Sequence, residues 1–134
     1  MNSAPTPQTL ERLRAASSLL FARRPAEAAT LLSALKAQEP GLAEARRLLG
    51  IALRETGDLA GAERELRGAL VLGERPESYE ALAATLERGG RRPEAEDAYR
   101  RALAIEPAFA AAAIGLSELL LNENRIDEAV SVIE

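Results

Sequence analysis

One phrase is written four times along this chain. Arg23–Pro40 reads RRPAEAATLLSALKAQEP, 57–73 reads GDLAGAERELRGALVLG, 91–107 reads RRPEAEDAYRRALAIEP, and 124–134 reads NRIDEAVSVIE. Ala28, Ala62, Ala95 and Ala129 are successive equivalents, separated by 34, 33 and 34 residues. Nine residues before each stands a leucine (Leu19, Leu53, Leu86, Leu120), and twelve before each a small residue (Ala16, Gly50, Ala83, Ser117). The third copy shows what one phrase encodes. Pro93 suits a first helical turn, where its missing N–H would have no partner anyway. Ala95, Ala98, Tyr99, Ala102 and Leu103 share one helical face, and Pro107 stops the helix by pushing the residue before it out of the helical region. Glu96 with Arg100 and Asp97 with Arg101 are acid-before-base pairs at i, i+4, each worth about 0.2–0.5 kcal/mol.

A period near 34 with two helical segments marks a helical repeat array, in which each hairpin buries its apolar face against the next. The clearest stretch is AEARRLLGIALRETGDLAGAERELRGAL. Its Leu49-Gly50, Leu53, Gly57, Ala62, Leu66 and Ala69 match the hallmark types of the tetratricopeptide repeat, which the chain resembles from about Thr9 to Glu134. The resemblance implies an all-α fold, a right-handed superhelical solenoid of about four antiparallel helix hairpins. The repeats are expected at about 9–42, 43–75, 76–109 and 110–134, the last incomplete. Residues 1–8 are expected to fray, with Thr6 or Thr9 capping the first helix.

Punctuation follows the period. Helices are expected from the Thr6 or Thr9 cap to about 21 and over about 25–38, then 42–55 and 59–72, 77–88 and 93–105, and from beyond Pro107 to 121. Gly57, Gly89-Gly90 and Asn124 mark the bend inside a hairpin, where a left-handed residue ends the first helix, and Asp58 can cap the second. The first hairpin departs from the pattern, with Arg23 at its bend. The small residues imply close crossings, Gly50 facing Ala62 and Ala83 facing Ala95.

Composition removes most chemistry. The chain has no cysteine and no histidine, so it has no disulfide, no thiolate and no imidazole base or ligand. With 17 basic and 21 acidic residues interspersed, the net charge is −4. That gives no basic excess for nucleic acid, and no apolar run is long enough to span a membrane. The amino terminus lacks a basic segment leading into an apolar run, so no signal peptide is expected and the expected compartment is the cytoplasm. Asp58, Asp97 and Asp127 fall near the starts of second helices, where acids favour the helix dipole. Glu94 and Glu96 point to different helix faces. Gly89-Gly90 has neither the spacing nor the Lys-Ser/Thr of a phosphate loop. Tyr79 and Tyr99 occupy positions the family packs with aromatics. No catalytic residue, metal site or cofactor is expected.

What remains is a binding surface. The resemblance implies that the first helix of each hairpin lines a concave groove for a peptide or partner helix. The groove would carry Leu13, Ser17 and Leu20 from the first repeat and Glu44, Arg47, Ile51 and Arg54 from the second. Glu77, Glu80, Ala84 and Glu87 would come from the third, and Ala111, Ile114, Glu118 and Leu121 from the fourth. Chaperone-binding members hold a C-terminal carboxylate with Lys and Asn. The matching positions here are Leu13, Ser17, Leu48, Glu77 and Ala81, which cannot do so. A mixed or basic segment with apolar anchors suits this row. The expected function is a non-catalytic protein-interaction scaffold. The alternative is an N-terminal accessory or dimerisation module of a larger bacterial enzyme of sulfotransferase, glycosyltransferase or oxygenase type, the Ala/Arg/Leu-heavy composition being of the kind a GC-rich bacterial genome encodes. Ile126, Val130 and Ile133 on a short last helix form an apolar edge through which a homodimer is expected.

Overall fold

The computed structural model of the protein describes residues 4–134. Eight α-helices follow one another among these residues: α1 (Pro7–Phe21), α2 (Pro25–Gln38), α3 (Ala43–Thr56), α4 (Leu59–Leu72), α5 (Pro76–Arg88), α6 (Arg92–Ile105), α7 (Ala110–Asn122) and α8 (Ile126–Ile133). They pack as sequential hairpins. Two compact units result, Met1–Gly73 with α1 to α4 and Glu74–Glu134 with α5 to α8.

The bends are set by four residues at the repeat spacing. Gly57 (φ 95°) and Gly90 (φ 80°) are left-handed, as are Arg23 (φ 61°) and Asn124 (φ 60°). Glycine adopts this backbone without a steric cost, and asparagine tolerates it better than other side-chained residues. Arg23 has neither advantage and is held there by the hairpin around it, Arg24 N–H donating to the Leu19 carbonyl at 2.8 Å. The same bond recurs as Asp58 to Leu53, Arg91 to Leu86 and Arg125 to Leu120, at 2.8–2.9 Å. Starts are marked too. Thr6 Oγ1 accepts from Thr9 N–H at 3.1 Å and Asp58 Oδ1 from Gly61 N–H at 2.9 Å. Pro lies at the first or second position of α1, α2, α5 and α6.

In unit 1, α2 lies against both α1 and α3, and α3 pairs with α4. Of the predicted registers, Ala16, Ala28 and Leu49 are buried in the core, while Leu19 and Leu53 pack against it half-buried; Leu32, Leu35 and Ala52 complete it. A fully buried leucine contributes about 1.5–3 kcal/mol. Gly50 sits where α3 meets α4. A Cβ there would lie 2.6 Å from Leu66 Cγ and 3.2 Å from the Ala62 carbonyl oxygen. Glycine is what lets these helices touch. One charge is buried among them: Glu65 on α4, only 7% exposed, accepts from Lys36 Nζ at 2.5 Å, with Arg46 Nη1 at 3.7 Å. The carboxylate thus ties α4 to α2 and α3, and a partner on each side offsets its desolvation.

Unit 2 repeats the arrangement with α5 to α8. Leu82, Leu86, Leu116 and Leu120 fill its core around Ala83, Ala95 and Ala129. Arg125, at the start of α8, holds Glu96 of α6 at 2.6 and 3.1 Å and Glu128 at 2.6 and 2.8 Å.

Two expectations need correction. Pro7 and Gln8, placed with the frayed terminus, form the first turn of α1, because Thr6 caps the helix there; Thr9 does not cap but turns inward and donates to Glu39 Oε2 at 2.5 Å. Residues 1–3 of that terminus lie outside the described residues. Asp97 is not in the first turn of α6; Glu94 is, and Asp97 pairs with Arg101 a turn further on, at 3.1 Å.

Candidate partner-binding faces

Within each unit the second helices pack against the first helices, so the predicted row is sought on the side left over. In unit 1 that side belongs to α1 and α3. Leu13 is buried and belongs to the core cluster, so it backs the face from within. Ser17 is exposed and Leu20 half-buried. On α3, Arg47, Ile51 and Arg54 are half-buried and Glu44 is exposed, its side chain 45% accessible. The charges are matched within the helix: Arg47 Nη2 lies 2.5 Å from Glu44 Oε1, and Arg54 Nε 3.3 Å from Glu55 Oε1. A depression of about 700 Å³ opens beside Leu10, Leu13, Ser17, Leu42 and Glu44.

In unit 2 the side belongs to α5 and α7. Glu77, Glu80, Ala84 and Glu87 are half-buried on α5, while Ala111, Ile114, Glu118 and Leu121 are exposed on α7. Ile114 is 56% exposed and Leu121 52%. Glu77 lies 3.7 Å from Arg75.

A residue outside the predicted row shapes this face. Tyr99 rises from α6, buried, and its hydroxyl donates to Glu87 Oε1 at 3.1 Å. Its ring lies against the backbone of α7 at Gly115, where an added Cβ would stand 2.5 Å from Cε1 and 2.7 Å from Oη. Glycine there admits the ring. Burial first, then the charge of Glu87, and further the charges of Glu80 and Glu118, push the phenol well above its ordinary pKa of 10. The phenol stays protonated and remains a donor to Glu87. Its position follows from the crossing of α6 with α7, and the sequence trace is a bulky residue on one helix with a glycine on the next. The sister aromatic, Tyr79, is buried and donates to Glu74 Oε1 at 2.8 Å; burial and that carboxylate raise its pKa too.

No group of three or more carboxylates is placed to hold a metal among the described residues. No helix among them is long and apolar enough to cross a membrane. Outside these faces, a depression of about 480 Å³ lies beside Arg100, Leu103, Glu128 and Val132.

Models of the tetratricopeptide repeat match residues 13–79 and 88–134. The chain belongs to the tetratricopeptide repeat family. Such repeats typically act as protein-interaction modules. No curated protein sequence matches the chain. Among solved structures, it is similar to MamA, with 23% identity, a TM-score of 0.79, and 90% of this chain and 71% of that one covered. It is also similar to the Sgt2 TPR domain from Aspergillus fumigatus, with 18% identity, a TM-score of 0.81, and 98% and 87% covered. An O-GlcNAc transferase mutant from Thermobaculum terrenum matches with 21% identity and a TM-score of 0.81; 90% of this chain covers 23% of that one. At these identities the likeness concerns the fold, and the tetratricopeptide repeat chain has its own surface.

Proposed function

We propose that this tetratricopeptide repeat chain is a non-catalytic scaffold that binds a peptide or helix of another protein along the first helices of its hairpins. The supporting observation is the exposure of Ile114 and Leu121 on α7, on the face lined by α5 carboxylates. Burying apolar side chains of this size is favourable by about 25 cal/mol per Å², and polar neighbours give direction to what lands there. Ser17, Leu20, Ile51 and Arg54 offer the corresponding row in unit 1. The test is charge reversal on and off these rows. Arg54→Glu and Glu87→Arg are expected to weaken a partner recovered by pull-down about tenfold each while the helical circular dichroism is kept. Arg64→Glu and Arg101→Glu, on second helices, are expected to leave binding unchanged. Equal losses from both pairs would remove the first-helix rows as the binding surface.

A second reading is favoured by one observation: this chain matches only 23% of the transferase chain, so most of that chain lies outside the matched region. In this reading the repeats are an accessory module positioning a partner or substrate for a catalytic domain in the same polypeptide. The gene decides it, by whether the reading frame carries a catalytic domain beside these repeats.

A further inference from the structure

The two units differ in how the charges on their first-helix faces are matched. In unit 1, Arg47 is neutralised by Glu44 and Arg54 by Glu55. In unit 2, Glu87 and Glu118 form no ion pair among the described residues. Glu87 receives the Tyr99 hydroxyl on Oε1, which orients the carboxylate and leaves Oε2 available. Gly115 lets that hydroxyl reach it. On the same face α7 exposes Ile114 and Leu121, two large apolar side chains on either side of Glu118 in the sequence.

These features select among occupants. A neutral apolar segment covering Ile114 and Leu121 would strip water from Glu87 and Glu118 and return nothing, a cost that falls on each carboxylate left buried and unpaired. An acidic segment would add repulsion to that cost. Only a segment carrying Lys or Arg among its apolar residues covers the isoleucine and leucine and meets the carboxylates at once. Resting on the reading of first-helix faces as docking surfaces, we infer that the α5/α7 face of unit 2 takes a cationic, apolar-anchored segment of a partner protein. Its basic side chains pair with Glu87 and Glu118, and its apolar side chains cover Ile114 and Leu121. The matched charges of unit 1 give that face no such preference.

The experiment uses the full chain and three labelled synthetic peptides with the same leucine positions, separated by lysine, glutamine or glutamate. Fluorescence anisotropy is expected to show the lysine peptide binding at least about tenfold tighter than the other two, with the preference falling as salt is raised. The double variant Glu87→Gln/Glu118→Gln is expected to abolish most of that preference, and Ile114→Ser to weaken the lysine peptide, both with unchanged helical circular dichroism. Tight binding of the glutamine or glutamate peptide, no binding of any, or a double variant within twofold of the parent would overturn the inference. If a glutamine or glutamate peptide binds tightly, or the double variant is within twofold of the parent, and binding still falls with Ile51→Ser or Arg54→Glu, the first-helix reading stands without the cationic preference. Binding indifferent to every first-helix substitution removes both.

Discussion

Arg125 grips Glu96 across the pair α6 and α8 with two nitrogens, Nη1 to Oε1 at 2.6 Å and Nη2 to Oε2 at 3.1 Å. The same guanidinium reaches Glu128 and Glu123, and Arg100 reaches Glu96 at 3.1 Å from the other side. It is the most connected ionic cluster in unit 2.

This cluster makes stability depend on acid. The Arg125 hydrogen bond above all, and Arg100 after it, hold the Glu96 carboxyl below its ordinary 4.5 in spite of its partial burial. Arg125 lowers Glu128 as well. A carboxyl with a depressed folded pKa contributes stability that is complete above the unfolded value and is lost as pH falls through the folded one. Denaturation midpoints are therefore expected to be level down to about pH 5 and to fall below about pH 4.5. Glu96→Gln is expected to lower the midpoint at neutral pH and to flatten the acid slope. A parallel slope in the variant would mean that other carboxylates set the acid limit.

Two substitutions two residues apart are expected to move stability in opposite directions. Gly115→Ala drives a Cβ into the buried Tyr99 ring at 2.5 Å and is expected to cost about 1–3 kcal/mol. Ser117 is 7% exposed and its hydroxyl oxygen has no hydrogen-bond partner among the described residues, whereas the equivalent positions hold alanine or glycine. Ser117→Ala removes a buried, unmatched polar group and is expected to stabilise by about 0.5–1 kcal/mol. Urea titration of both variants checks the signs. A destabilised Ser117→Ala would reveal a partner for the hydroxyl.

Arg23 carries the backbone that Gly57 and Gly90 adopt at the equivalent bends. The left-handed region costs a side-chained residue about 1 kcal/mol that glycine is spared. Arg23→Gly is expected to raise the melting temperature, the relief exceeding the added freedom of the unfolded chain. Gly57→Ala is expected to lower it by a similar amount. If Arg23→Gly melts lower than the parent, contacts of the arginine side chain outweigh the backbone relief.

Ile126, Val130 and Ile133 lie on α8 at i, i+4 and i+7 and are 54%, 43% and 66% exposed. An apolar stripe in water is covered by whatever apolar surface is at hand, and in a pure preparation that is a second copy. Light scattering is expected to show a concentration-dependent dimer, most simply a symmetric one, that Val130→Glu returns to monomer. A strict monomer at high concentration would rule this contact out.

The repeat period by itself determined a great deal. Helix bounds, the bends at Arg23, Gly57, Gly90 and Asn124, and the buried registers of Ala62, Ala95, Leu86 and Leu120 are all legible, because caps, left-handed residues and 3.6-residue periodicity act over a few neighbouring residues. Tertiary structure alone decided what happens between helices. Lys36 and Glu65, like Glu96 and Arg125, are 29 residues apart and read as surface charges in any local window; helix crossing turns them into clamps. Leu13 falls in the core and Tyr99 places its hydroxyl on Glu87 for the same reason: each outcome depends on the distance between two helix axes. That distance is set by the side chains packed between them, and here by the absence of one at Gly50 and Gly115.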